Sequence, residues 1–222
     1  MDTIHVPAVR IHTSVLAAAE KRLLIRLAER MPSSIGSDHL TALAALAMLG
    51  VGGAFWLGGT LRSAVLLVVP MLALNWFGDS LDGTLARVRR QERPRYGYYV
   101  DHVLDAIGFI WLIAGLVLGG FMTLPIALVF LGAYYLLVIE VSLAVHALGR
   151  FTMSFWRVGP TELRIVLAAG AVALLHAPSV RIGGWTMQLF DLGGIVGAAG
   201  LMFTFLVSAV KNGKTLYREE RL

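Results

Sequence analysis

The chain contains no cysteine and little charge, and each shortage excludes classes of protein. Without cysteine among its 222 residues, it can form no disulfide scaffold, no thiolate metal site and no cysteine nucleophile. Charged residues make up 15% of the chain and apolar or aromatic residues 57%. Soluble domains contain about 25% charged and about 45–50% apolar residues. The composition therefore disfavours a water-soluble globule.

Long apolar runs recur along the whole chain. A helix needs ~20 residues to cross ~30 Å of hydrocarbon, and in lipid its backbone groups must be satisfied within the segment. We expect an all-α integral membrane protein with six transmembrane helices, preceded by an amphipathic interfacial helix. The six spans are built around residues 40–57, 64–78, 103–120, 124–148, 165–175 and 192–210. The second, third and fifth reach bilayer length only by including polar residues.

The segment before the first span is amphipathic. Its apolar residues follow near-helical spacing, and charged residues occupy much of the rest; the apolar positions are Leu16, Ala19, Leu23, Leu27 and Met31. The pattern favours a helix over residues 14–31 that lies on the membrane surface, and a soluble helix packed on the loops is the alternative. We accordingly divide the chain into a cytoplasmic segment (1–37), a six-helix transmembrane catalytic domain (38–212) and a short charged cytoplasmic tail (213–222).

The basic residues predict the orientation of these spans. With six spans, all 19 Lys and Arg residues except Arg62 and Arg181 fall on one side of the membrane. The positive-inside rule places that side, with both termini, in the cytoplasm. We expect a protein of the cytoplasmic membrane of a bacterium. The net charge of +5 comes from basic residues that follow the predicted membrane topology and form no single patch, so nucleic acid is not an expected partner.

Four carboxylates lie in or beside the second and third spans, namely Asp79, Asp82, Asp101 and Asp105. Their spacing places each pair on one helix face, and a short link containing Pro94 makes the two helices antiparallel neighbours. Intramembrane acids are costly and by default mark a functional cavity. Four of them together repel one another unless divalent cations bind, and all-oxygen ligation suits Mg²⁺, Mn²⁺ or Ca²⁺ rather than zinc or copper.

Small residues and an arginine share these faces. Gly83, Ala86 and Gly97 leave room for close approach of a ligand, although tight helix packing explains them equally well. Arg87 lies ~12 Å along the helix from Asp79 and can reach an anionic group bound to the metal. A metal beside an arginine is suited to a phosphoryl group. A small cation or proton transporter is the alternative, although a cation path gains nothing from an adjacent arginine.

The complete spacing resembles the signature of the CDP-alcohol phosphotransferases, which are membrane enzymes of phospholipid synthesis. It reads Asp79-x2-Asp82-Gly83-x2-Ala86-Arg87-x9-Gly97-x3-Asp101-x3-Asp105. The resemblance implies transfer of a phosphoalcohol from a CDP-alcohol to an acceptor hydroxyl, with release of CMP. The usual donor is CDP-diacylglycerol, and the family often dimerises through its membrane helices.

Residue roles follow from the resemblance. The resemblance implies two bound metal ions, Mg²⁺ or alternatively Mn²⁺. The matching ligand positions in this chain are Asp79, Asp82 and Asp101, with a share for Asp105. Asp105 also matches the position that deprotonates the acceptor hydroxyl. The positions that accommodate the cytidine diphosphate are Gly83, Ala86, Arg87 and Gly97.

Beyond the signature the signals are weaker. Asn75 lies one turn before Asp79 on the same face and is a candidate contact to the nucleotide. Candidates for the acceptor pocket are Glu140, Glu162, Arg164 and Arg157. For Glu140 an interhelical hydrogen bond is an equal alternative. For the residues around the fifth span the alternative is capping or interfacial anchoring, and the pattern slightly favours this alternative for Arg157. The arginines near that span favour a small, phosphorylated alcohol, while serine, choline or a lipid alcohol stay open.

Overall fold

The computed structural model describes residues 9–11, 17–152 and 159–220. The helices are α1 (Ala17–Arg30), α2 (Ser37–Gly58), α3 (Val68–Val88), α4 (Pro94–Leu118), α5 (Leu124–Leu148), α6 (Pro160–Ala173) and α7 (Leu189–Glu219). A 3₁₀ helix, Arg62–Leu67, leads directly into α3. Two pairs of short strands complete the elements: β1 (Val9–Ile11) with β2 (Arg150–Thr152), and β3 (Ser179–Ile182) with β4 (Trp185–Gln188).

Helices of membrane length dominate this part of the chain. Five are long and apolar enough to cross a bilayer, namely α2, α3 with its 3₁₀ extension, α4, α5 and α7. The predicted all-α membrane fold is therefore confirmed. Helix α6 has 14 residues, which is ~21 Å and short of ~30 Å of hydrocarbon. The count of six spans stays a prediction.

Helices α5 and α7 run parallel to each other. Asp191 at the start of α7 accepts a hydrogen bond from the backbone N–H of Thr123, just before α5, at 2.7 Å. Toward the other end, the Asn212 amide of α7 donates to Glu140 of α5 at 2.7 Å. Because the two helices point the same way, the segment between them, which contains α6, carries the chain back from one end of the bundle to the other.

Helix α2 is the centre of the bundle, and both α3 and α4 pack on it. A side chain at Gly115 of α4 would place its Cβ 2.2 Å from the carbonyl oxygen of Gly52, so the close approach of α2 and α4 requires glycine there. The sequence indicated that α3 and α4 are antiparallel neighbours. They are antiparallel, but each packs chiefly on α2, which leaves a cleft between their polar ends.

Helix α1 lies against the polar end of α3. Its buried residues, Leu24 and Ala28, belong to one cluster with Leu81 and Leu85 of α3. Leu23, which was expected on the apolar stripe, is 46% exposed, because α1 packs on α3 through the face that carries Leu24 and Ala28. Residues 14–16 of the predicted helix lie outside the described residues, and its placement on the membrane surface stays a prediction.

Opposite ends of the bundle differ in character. One end carries α1, the turn between α3 and α4 and the start of α6. At the other end β3 and β4 form a hairpin, whose two-residue turn has positive φ at Gly183 (55°) and Gly184 (87°) and so suits glycine. The polar residues discussed next lie at the first end.

Candidate active site

Three of the four predicted carboxylates converge in the cleft between α3 and α4. One ligand oxygen from each of Asp79, Asp101 and Asp105 lies within 4.8 Å of the other two. Oxygens bound to one Mg²⁺ at ~2.1 Å lie about 3 to 4 Å apart, so small side-chain rotations bring this set onto one ion. A set of carboxylate oxygens is also the donor chemistry that Mg²⁺ and Mn²⁺ prefer. The residues present fit a divalent metal.

The fourth carboxylate, Asp82, lies outside that group of three and is held by α2. Its Oδ2 accepts a hydrogen bond from the Thr41 hydroxyl at 2.6 Å, and its backbone carbonyl accepts one from Ser37 at 2.9 Å. These bonds fix the Asp82 carboxylate beside the cleft. Its role as a metal ligand stays a prediction. Sequence reasoning missed Thr41, although it is the only hydroxyl residue in the apolar run 40–57.

An arginine from α6 enters the acidic group. The Arg164 guanidinium forms an ion pair with Asp79, and its Nε donates to the Asn75 side-chain oxygen at 2.8 Å. The Asn75 amide donates in turn to the Ala44 carbonyl at 3.0 Å. Asn75 and Asp79 therefore share one face of α3, as their spacing predicts. Arg164, a candidate for the acceptor pocket, lies at the carboxylates themselves and offsets part of their charge.

Of the predicted donor positions, Gly83 and Arg87 lie one turn apart on α3, and Gly97 lies in the first turn of α4. Arg87 folds back along α3 and donates to the Thr84 hydroxyl at 3.0 Å. A Cβ at Gly83 would lie 3.4 Å from the Arg87 guanidinium, so glycine gives that group room. A Cβ at Gly97 would meet nothing within 4 Å, which leaves open space beside the first turn of α4.

A cavity of about 450 Å³ adjoins these positions. Ala86 lines it, together with Arg89 and Arg93 from the turn between α3 and α4 and with the first residues of α2. Arg89 donates to the carbonyls of Met31, Pro32 and Ile35, so it secures the link between α1 and α2 at the rim of the cavity. Asp38, which pairs with Arg93, and Glu92 also line the cavity, so side chains of both charges surround a space next to the signature.

The other acceptor-pocket candidates lie in different surroundings. Glu162 accepts a hydrogen bond from the backbone N–H of Gly159 at 3.0 Å and so caps the start of α6. Glu140 is buried at the contact of α5 with α7, bonded to Asn212. Arg157 lies outside the described residues. Among the residues that the structure does describe, Arg164 is thus the acceptor-pocket candidate that contacts one of the three carboxylates, Asp79.

Comparison with known proteins identifies the family. The family model for CDP-alcohol phosphatidyltransferase matches residues 37–206, more than three quarters of the chain. The matched range includes all four carboxylates, the donor positions and Arg164. No curated protein matches the chain. Members of this family are divalent-metal-dependent membrane transferases of phospholipid synthesis, and this chain belongs to the CDP-alcohol phosphatidyltransferase family.

Proposed function

We propose that this protein transfers a phosphoalcohol group, in the favoured case phosphatidyl from CDP-diacylglycerol, to an acceptor hydroxyl and releases CMP. The observation that carries the proposal is the convergence of Asp79, Asp101 and Asp105 within 4.8 Å at the polar end of apolar helices. Three carboxylates in such a place require positive charge, which a divalent metal supplies. The oxygens of a diphosphate substrate complete the ligands of such a metal.

The proposed step forms a bond from the acceptor oxygen to the phosphorus that carries the alcohol. The bond from that phosphorus to the bridging oxygen breaks, and CMP leaves with the bridging oxygen. Asp105 takes the acceptor proton, and its place beside Asp79 and Asp101 supports this role. Asp79, Asp82 and Asp101, with a share for Asp105, would hold divalent metal, which would neutralise charge on the diphosphate oxygens.

We assign the binding of the two substrates to different arginine side chains. Arg87, which lies against Gly83, and the open space at Gly97 suit the donor diphosphate, and the cavity at Ala86 suits the rest of the nucleotide. Arg164 lies on the α6 side of the carboxylates. A cation at that place suits an anionic acceptor, so we propose a small phosphorylated alcohol.

Family membership favours a transferase over the cation or proton transporter that the acids alone permit. The Arg164–Asp79 ion pair points the same way, because a fixed cation within the acidic group opposes the passage of other cations.

Purified protein in detergent, given CDP-diacylglycerol and Mg²⁺, tests the proposal against a panel of acceptor alcohols with CMP release as the readout. Wild-type protein is expected to release CMP with at least one acceptor, to stop in EDTA and to recover when Mg²⁺ is restored. Asp79→Asn is expected to be inactive although folded, and Glu29→Gln, which changes an exposed acid on α1, is expected to be fully active. Full activity of Asp79→Asn, or of the wild type in excess chelator, contradicts the proposal.

The end of the bundle with the acids is proposed to face the cytoplasm, as the basic residues of the turn between α3 and α4 predict. Single cysteines can test this cleanly because the chain has none of its own. Arg90→Cys is expected to react with a membrane-impermeant thiol reagent only from the cytoplasmic side, and Gly184→Cys in the hairpin only from the opposite side. Labelling of both from the same side contradicts this topology.

A further inference from the structure

A carboxylate on α1, outside the signature, joins three helices beside the acidic group. Oε1 of Glu20 accepts hydrogen bonds from the Trp76 indole at 2.6 Å and from the Ser80 hydroxyl at 3.2 Å, both on α3. The same oxygen accepts a bond from the Thr161 hydroxyl, in the first turn of α6, at 3.0 Å. A single oxygen atom therefore connects α1, α3 and α6.

On α3, the residues that contact Glu20 alternate with those that contact Arg164. Trp76 and Ser80 are four residues apart on one stripe of the helix, and Asn75 and Asp79 are four apart on the adjacent stripe. The first stripe bonds to Glu20 and the second to Arg164. The two sets of bonds lie side by side at the same level of α3.

On α6, the partners of these two stripes lie one turn apart. Thr161 bonds to Glu20, and Arg164, three residues later, bonds to Asn75 and Asp79. A bond that fixes Thr161 therefore fixes the rotation and height of the helical turn from which the Arg164 side chain extends. An anionic oxygen is suited to this task, because a carboxylate accepts several hydrogen bonds and bonds to charged groups are stronger than neutral ones.

We infer that Glu20 is a positioning residue, which sets the start of α6 against α3 so that Arg164 meets Asp79. The inference rests on the proposed function for its consequence, because Asp79 is one of the proposed metal ligands. Ligating carboxylates depend on the groups that orient them, and the loss of such a group typically weakens metal binding 10- to 100-fold. Glu20 acts on the site through Arg164.

The placement of α6 can be measured without substrate or metal. Spin labels on cysteines introduced at Leu163 of α6 and Ile110 of α4, both exposed, report the distance between these helices by pulsed electron paramagnetic resonance. Glu20→Ala is expected to broaden the distance distribution, because Thr161 loses its acceptor. Glu20→Gln, which keeps an acceptor oxygen, and Glu29→Ala, which removes an exposed acid from the same helix, are expected to preserve the wild-type distribution. An unchanged distribution in Glu20→Ala overturns the inference.

Mn²⁺ binding then tests whether Glu20 acts through Arg164. Arg164→Lys keeps the positive charge but loses the planar guanidinium that bonds both Asn75 and Asp79, so it is expected to weaken Mn²⁺ binding about tenfold, and Glu20→Ala to weaken it by less. The double variant is expected to bind Mn²⁺ like Arg164→Lys alone, since Glu20 has no guanidinium left to position. Losses that add, or a lower melting temperature with wild-type Mn²⁺ affinity, overturn the inference and leave Glu20 a purely structural residue. If the wild type binds no Mn²⁺, the metal part of the proposed function fails, and the spin-label distances still decide whether Glu20 places α6.

Discussion

Acidic side chains interrupt the apolar helices in two places, and the two places are built differently. In the cleft between α3 and α4, Asp79, Asp101 and Asp105 bring three like charges within 4.8 Å. At the contact of α5 with α7, Glu140 belongs to no such group among the described residues, is 8% exposed and accepts a hydrogen bond from the Asn212 amide. The first place is open and charged, and the second is closed and paired.

The difference shows how to separate a functional acid from a structural one inside a membrane. Two carboxylates 4.8 Å apart repel by roughly 3 kcal/mol at an effective dielectric constant of ~20, so a group of three needs cations. One carboxyl group needs only a hydrogen-bond partner, which a neighbouring helix can supply. The number of charges and the access to them, rather than the presence of an acid, separate the two roles.

The largest expected effect comes from the acid that is assigned to the acceptor proton. Asp105→Asn is expected to slow CMP release about 10²- to 10⁴-fold, because an amide cannot take a proton. The variant is expected to bind CDP-diacylglycerol with metal almost as well as the wild type, which calorimetry can measure. Asp105 does not have this role if Asp105→Asn releases CMP at the wild-type rate. The same holds if the variant loses donor binding but releases CMP from bound donor at an unchanged rate.

A smaller effect is expected at the donor cation. Arg87→Ala is expected to weaken donor binding roughly 10- to 100-fold, because a charge-assisted bond to phosphate contributes about 1.5–3 kcal/mol. Arg90→Ala is the matched control, since it removes the same charge from an exposed position three residues later. A donor-dependent shift in melting temperature separates the two variants. Equal losses in both point to general electrostatic attraction rather than a contact made by Arg87.

The hydroxyl that holds Asp82 is expected to matter less than the acids themselves. Thr41→Val keeps the shape of the side chain but removes the 2.6 Å bond to the Asp82 carboxylate. We expect CMP release to fall about tenfold, within the range for a bond to a charged group. Thr41→Ser restores a hydroxyl and is expected to restore most of the activity. If Thr41→Val is fully active, then α2 does not orient Asp82 for the reaction.

Local sequence patterns predicted the parts of the site that lie on one helix. Helical spacing places Asn75 with Asp79, and the structure shows both bonded to Arg164. The apolar runs predicted the membrane helices, because bilayer thickness sets their length. The convergence of Asp79 with Asp101 also followed from the short link between two amphipathic faces.

Contacts between distant elements could not be predicted in the same way. Glu20 reaches Thr161 across 141 residues, and Thr41 reaches Asp82 across 41, and no periodicity within a helix encodes either pair. The packing of α3 and α4 chiefly on α2 was also missed, because a short link fixes their direction but not which helix each of them packs on. Such pairings depend on how helices pack, which a single sequence does not show.

The smallest expected effect on CMP release belongs to the hydrogen-bonded pair of Glu140 and Asn212, and it tests the difference between this pair and the acids in the cleft. Asn212→Leu removes the donor to Glu140, whose other carboxyl oxygen has no partner among the described residues. Hydrogen bonds between membrane helices contribute about 0.6 kcal/mol on average, since the unfolded chain in the membrane also finds partners. Asn212→Leu is therefore expected to lower stability by about 1 kcal/mol, measured as unfolding in detergent, and to leave CMP release per folded molecule unchanged. Asp79→Asn is expected to show the opposite pattern, with folded protein and no CMP release. If Asn212→Leu also abolishes CMP release, then the α5–α7 pair belongs to the functional site and the distinction between the two acidic places is wrong.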